Sequence, residues 1–252
     1  MSALARALSA EWLKLRGTLA LWLCGVAPAV VVAVYVLQMT VVRLPADRSP
    51  PAPAEAWLAF AQSTLALWAF LMVPLFVTLQ AALLAGQEHA NQQWKHLLAL
   101  PVPRAVHYLA KLLALAGLLL LAQLAMLALL PLGGWLLDLL KPGFGIAGPV
   151  PWALLLEKLA LVGAASLLLV SLHTFIAVRW RSFTVAVGVG MGATVMGFLI
   201  GQSARFGPWF PWSLPVQAMA KADPAAVVAY SLAGALLAGL AGLWAFQRRE
   251  AD

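Results

Sequence analysis

Residues 112–130 read Leu-Leu-Ala-Leu-Ala-Gly-Leu-Leu-Leu-Leu-Ala-Gln-Leu-Ala-Met-Leu-Ala-Leu-Leu, a run with one polar side chain, Gln123, and no charge. At ~1.5 Å per residue a helix of this length crosses most of a hydrocarbon layer of about 30 Å. A helix apolar on every side is either buried in a core or spans a membrane, and the length of this run predicts a membrane-spanning helix. Working outward, it extends to about 109–137, and the same length test picks out 19–42, 57–85, 153–178, 183–203 and 225–246. The expected fold class is therefore all-α, a polytopic membrane protein with six spans in a single domain over 1–252.

The composition agrees with the spans. Hydrophobic residues make up 63% of the chain and charged ones 10%, and the mean hydropathy is +0.92. The connections 43–57, 86–108, 141–152 and 203–224 are too short to build a separate core. Sixteen Lys and Arg face nine Asp and Glu, but the basic residues cluster at span ends, which points to anionic lipid as partner and away from nucleic acid. The lone Cys24 excludes an internal disulfide and a cysteine metal site. The run from Leu19 follows Arg6, Lys14 and Arg16 as a signal peptide would, yet it is long enough to span and is read as the first crossing.

An even number of spans puts both termini on one side. With the N-terminus inside, ten basic residues are cytoplasmic (Arg6, Lys14, Arg16, Lys95, Arg104, Lys111, Arg179, Arg181, Arg248, Arg249) and six are external (Arg43, Arg48, Lys141, Lys158, Arg205, Lys221). The bias favours N-in and C-in.

Catalytic classes fail on inventory. The chain has no G-x-x-x-x-G-K-[ST] loop, no H-E-x-x-H and no G-x-S-x-G, so no phosphate-binding loop, zinc-protease helix or nucleophile elbow is expected. Ser171 and His173 are two apart on a helix and do not face each other; they are read as polar groups bonded within the bundle. A secondary transporter usually carries ionisable groups at mid-depth, and Asp138, Glu157 and Lys158 fall near span ends instead.

Three patches remain. Residues 3–16 repeat Leu4, Leu8, Trp12 and Leu15 at helical spacing with Arg6, Ser9 and Arg16 opposite, which predicts an interfacial helix before the first span. The fifth span places Gly188, Gly192, Gly197 and Gly201 as two small-residue pairs, expected at a helix-helix contact with an internal neighbour or another subunit. Phe206-Gly-Pro-Trp-Phe-Pro-Trp212 combines aromatics with helix breakers; Phe206, Trp209, Phe210 and Trp212 are read either as an aromatic belt or as an outer gate. The connection after the second span predicts a short amphipathic helix over 91–100. Asn91 is its N-cap, Trp94, Leu97 and Leu98 form its apolar face, Lys95 is polar and Pro101 ends it. Such a rod either caps the bundle or transmits force from a cytoplasmic protein.

Glu88, Trp94-Lys95, Leu97-Leu-Ala-Leu-Pro-Val-Pro-Arg104 and Lys111 together resemble the E…W/T-K-x-L-L-x-x-P-x-x-R…K signature of ABC-2-type exporter permeases. Glu11-Trp-Leu-Lys-Leu-Arg16 and Pro211-Trp-Ser-Leu-Pro215 match the same family, whose bacteriocin-immunity, bacitracin-resistance and drug-export branch is the most similar. The resemblance implies a type V exporter-like permease subunit in a bacterial inner membrane. It implies no catalysis and no cofactor in this chain, with ATP and Mg bound by a separate ABC ATPase present in two copies. A second permease subunit, identical or paralogous, completes the assembly, and the cargo leaving the cytoplasm is apolar or amphipathic. The family's interfacial helix falls on Glu11, Trp12, Lys14 and Arg16, and its coupling helix on 91–100, with Glu88 and Arg104 at the two ends. Its outer re-entrant element falls on 204–223. A membrane scaffold docking a cytoplasmic protein, and a secondary transporter, are the competing expectations.

Overall fold

The structure, a computed structural model, describes residues 2–43, 49–90, 102–180, 182–220 and 223–248. Among them only helical elements occur. Helix α1 (Ala3–Leu15) starts where Ser2 Oγ accepts the amide of Ala5 at 3.3 Å. It ends at Gly17, whose φ of +74° turns the chain without Cβ strain. Then come α2 (Leu19–Val41), α3 (Pro53–Leu67), α4 (Val73–Ala90), α5 (Arg104–Leu140), α6 (Trp152–Ala165), α7 (Leu167–Arg179), α8 (Phe183–Gly201), α9 (Leu214–Ala220) and α10 (Pro224–Gln247).

Six segments are long and apolar enough to cross a membrane: Leu19–Val41, Pro53–Gly86, Arg104–Leu140, Trp152–Arg179, Phe183–Gly201 and Pro224–Gln247. The chain is a multi-pass membrane protein. α5 is longer than the apolar run alone indicates, because Arg104 to Tyr108 and Asp138 continue the helix at its two ends. Hydropathy marks where a helix is buried in lipid, not where its hydrogen bonds stop.

Two spans are interrupted for visible reasons. Between α3 and α4 the residues Trp68–Met72 form a π turn, closed by the amide of Val73 on the carbonyl of Trp68. Pro74, which has no N–H, follows directly, and the widened turn accommodates the missing bond. The fourth span breaks at Ser166, between α6 and α7. There the Ser231 hydroxyl of α10 faces the carbonyls of Ala164 (3.1 Å) and Ala165 (2.9 Å) and lies 3.3 Å from the amide of Leu168, which donates to it. A neighbouring helix thus satisfies backbone groups that lipid cannot.

Packing centres on α4 and α5. α2 lies along α5, α10 along α7, and α4 contacts both α7 and α8. Leu65, Trp68, Leu115, Met126, Leu130, Leu155 and Leu169 are fully enclosed. Gly133 and Gly134 of α5 admit Val32 and Trp57; a Cβ at either position would collide with them. α8 and α10 are the least enclosed spans.

Between α8 and α10 the chain folds back into the bundle through two 3-10 turns, Gly207–Trp209 and Pro211–Ser213, and then α9. Its backbone needs are met locally: Ser213 Oγ lies 2.5 Å from Gly207 O and 2.9 Å from Phe210 O, and Gln217 Nε2 donates to Gly201 O at 2.8 Å. Leu214 is fully buried, with α9 seated on α6.

Candidate functional site

Four charged side chains from three helices meet at the end of the bundle that carries α1. Lys111 Nζ of α5 donates to Glu88 Oε1 of α4 at 2.7 Å, to Glu11 Oε2 of α1 at 3.3 Å and to Leu84 O at 3.2 Å. Lys14 Nζ of α1 donates to Glu11 Oε1 at 2.8 Å and to Glu88 Oε1 at 2.9 Å. Two carboxylates thus alternate with two ammonium groups, and the quartet is formally neutral.

The sequence places the four by simple geometry. Glu11 and Lys14 are three apart, so they share one side of α1. On that side Glu11 and Leu15 are buried, while Trp12 and Arg16 are exposed. The inward stripe runs through Glu11 next to Leu8 and Leu15, and Trp12 turns outward. Glu88 lies four residues beyond Leu84, so the carbonyl and the carboxylate that receive Lys111 come from one turn of α4.

Burial makes the arrangement consequential. Lys111 is 3% exposed and Glu88 0%, and a buried ion is tolerated only when paired. Burial alone pushes the Glu11 carboxyl up, but Lys111 and Lys14 outweigh it and hold the group below the ordinary carboxylate value. For Lys14 burial pulls down, while hydrogen bonds and charge from Glu11 and Glu88 raise it above the ordinary lysine value. Both groups stay charged across the neutral range. Among the described residues Glu88 Oε2 has no hydrogen-bond partner, and neither has the buried Nε2 of the nearby His107.

The other expected residues are distributed more widely. Arg104 at the start of α5 donates from Nη1 to Gln247 O at the end of α10, at 3.3 Å. Asn91, Trp94, Lys95, Leu97 and Leu98 lie outside the described residues. The four glycines of α8 divide: a Cβ on Gly197 would meet Trp212 Cβ at 3.0 Å and one on Gly201 would meet Ser213 Cβ at 3.2 Å, whereas one on Gly188 or Gly192 would meet nothing within 4 Å among the described residues. Phe206 and Trp209 are exposed, Phe210 and Trp212 half-buried. Trp209 is edge-on to Tyr230, and the rings of Phe210 and Trp212 lie 5.5 Å apart at a tilt of 34°.

A second polar node sits deeper. His173 Nε2 of α7 lies 3.2 Å from Thr78 Oγ1 of α4, with the Trp212 ring edge-on at 5.5 Å. Gly190 of α8 backs directly onto Thr78 and His173, leaving no space for a Cβ. Sequence reasoning took His173 as a bundle hydrogen-bonder but missed Thr78 and Gly190. Gly190 is one of several glycines in α8, and only the inward register of Ala186, Gly190, Thr194 and Gly197 separates it from the rest. The signal for the quartet was stronger: Lys111 stands inside an apolar helix, where a lysine requires a partner.

The sequence model described as ABC-2 family transporter protein matches residues 7–198, a stretch that holds all four quartet residues and the Thr78–His173 node. No curated protein and no solved structure is matched by the chain.

Proposed function

The chain belongs to the ABC-2 transporter family, and from that premise we propose that it is the permease subunit through which an ATP-driven exporter moves an apolar or amphipathic substrate. Membership in this family implies a separate ABC ATPase partner. Two copies of that ATPase, binding ATP and Mg, would serve two permease subunits, the second identical or paralogous. The immunity and drug-export branch is the one the motif from Glu88 to Lys111 most resembles. The proposed topology is N-in and C-in in a bacterial inner membrane, with 91–100 facing the ATPase and 204–223 on the outside.

One observation carries this reading. The connection 91–102 is entered from α4 and left through α5, and the quartet ties these two helices to each other and to α1. A displacement of the connection is passed to the interfacial helix and to two spans together through short, buried ion pairs. Trp94, Leu97 and Leu98 are the proposed anchors on the ATPase, with Lys95 on the polar side; Glu88 and Arg104 hold the ends of the rod.

The test is substrate-stimulated ATP hydrolysis and export in vesicles that contain the chain with its ATPase. Trp94→Ala should release much of the ATPase, as the loss of a central aromatic anchor costs about 2 kcal/mol or more. Glu88→Gln should keep the ATPase bound while substrate stimulation falls. Unchanged stimulation and export in both variants would reduce the segment to a cap on the bundle. Lost docking with no ATP-dependent export in the unaltered protein would leave a scaffold.

A further inference from the structure

Beside the quartet, the turn from α1 into α2 encloses a cavity of about 100 Å³. Its polar wall is made of Lys14, Glu11 and Thr18, and its apolar wall includes Leu19, Ala20 and Leu83. The space admits a few waters or one compact polar headgroup. It is too small for a peptide segment.

We propose that this cavity binds the phosphodiester headgroup of a membrane phospholipid. The Lys14 ammonium has three N–H groups and commits two of them, to Glu11 and Glu88. The third has no acceptor among the described residues. Lys14 is also the accessible member of the quartet, its side chain 31% exposed against 3% for Lys111. A phosphate oxygen is the complementary acceptor, because charge-assisted N–H···O⁻ bonds are the strong ones. The remaining surface selects the rest of the molecule. Leu19, 59% exposed, continues the apolar wall outward along the first span, where the acyl chains of a bound lipid would run. A free inorganic anion would gain nothing from that wall; a lipid gains on both sides. The proximity of Glu11 adds a carboxylate near which an ammonium-bearing headgroup can place its cation. Such a site bears on lipid dependence and does not require that the coupling reading be right.

The full chain, carried in nanodiscs of phosphatidylethanolamine and phosphatidylglycerol, can be released for native mass spectrometry. One phospholipid should stay on each chain. Ala20→Leu on α2 and Leu83→Phe on α4, which fill the apolar wall, should each lower retention, the first by about tenfold. Lys14→Met should lower it by about tenfold as well. Circular dichroism on the same samples checks that the helices persist, and Leu83→Phe guards against a misfolded Ala20→Leu. Retention in all three variants equal to that of the unaltered chain, or retention that favours diacylglycerol lacking phosphate, would overturn the proposal. So would an adduct whose mass is that of inorganic phosphate, or displacement of the lipid by millimolar phosphate alone.

Discussion

Glu88 and Lys111 show how much a single buried charge can demand. Removing one partner of a buried pair typically costs about 3–5 kcal/mol, because the other is left charged in a poor solvent. Lys111→Met strands Glu11 and Glu88 with one lysine between them, and Glu88→Met leaves two lysines with one carboxylate. Each should therefore lower the unfolding midpoint markedly. Replacing both by Met should recover a large part of the loss, and thermal unfolding of the double-mutant cycle in detergent measures the coupling directly. Additive losses would mean that the two residues act independently. The pH response follows from Glu11 and Lys14. Glu11 titrates below its ordinary 4.5 in the fold, so its contribution is present above 4.5 and is lost as the pH falls through the lower folded value. Lys14 titrates above 10.5, so its contribution is present below 10.5 and lost as the pH rises through the higher folded value. A nitroxide placed by Ala10→Cys on α1 should stay immobile between these limits and gain mobility beyond either one.

At the scale of elements, the glycines of α8 give a discriminating comparison. Gly190 lies flush against Thr78 and His173, and a Cβ on Gly188 would meet nothing within 4 Å among the described residues. Gly190→Ala forces the buried node apart and should destabilise by roughly 1–3 kcal/mol. Gly188→Ala should be neutral or slightly stabilising in the isolated chain, because alanine is the better helix former. Thermal shifts of the two variants in detergent check this, and similar losses in both would mean that α8 packs in another register. The same pair shows what the sequence conveyed. Small residues at four-residue spacing announced a close contact, but α8 carries two such stripes, and only the partners on α4 and α7 say which one is internal. Apolar length, by contrast, was decisive: each of the six runs falls in a helical segment long and apolar enough to span, two of them interrupted, since a backbone in lipid must satisfy itself within the protein. The quartet was legible in its parts, with Glu11, Lys14, Glu88 and Lys111 all noted along the chain. Their meeting was not, because it depends on how α1 lies across α4 and α5. The Ser166 break and its repair by Ser231 left no mark in hydropathy, which does not register where one hydroxyl from another helix lands.

For the whole molecule, the proposed orientation makes a direct prediction. Cysteines introduced singly at Arg48 or Lys221 should react with an impermeant thiol reagent added outside intact cells, and cysteines at Ser2 or Arg248 should not. The native Cys24 is buried and gives little background. The reverse pattern would turn the protein over, and with it the assignment of the quartet to the ATPase side.

The length of α5 carries one more consequence. From Lys111 to Leu140 the helix rises about 44 Å, and about 41 Å if it leans by 20°. A bilayer measures about 40–45 Å between the outer limits of its two headgroup layers. With Leu140 at one such limit, Lys111 and the ion pairs around it arrive at the other, and the two further turns down to Arg104 stand in water. With that placement bilayer thickness would become a mechanical variable: a thicker membrane would draw the charged junction toward hydrocarbon, a thinner one would lift it clear, and the lipids around the protein would help set how firmly its three helices are held together.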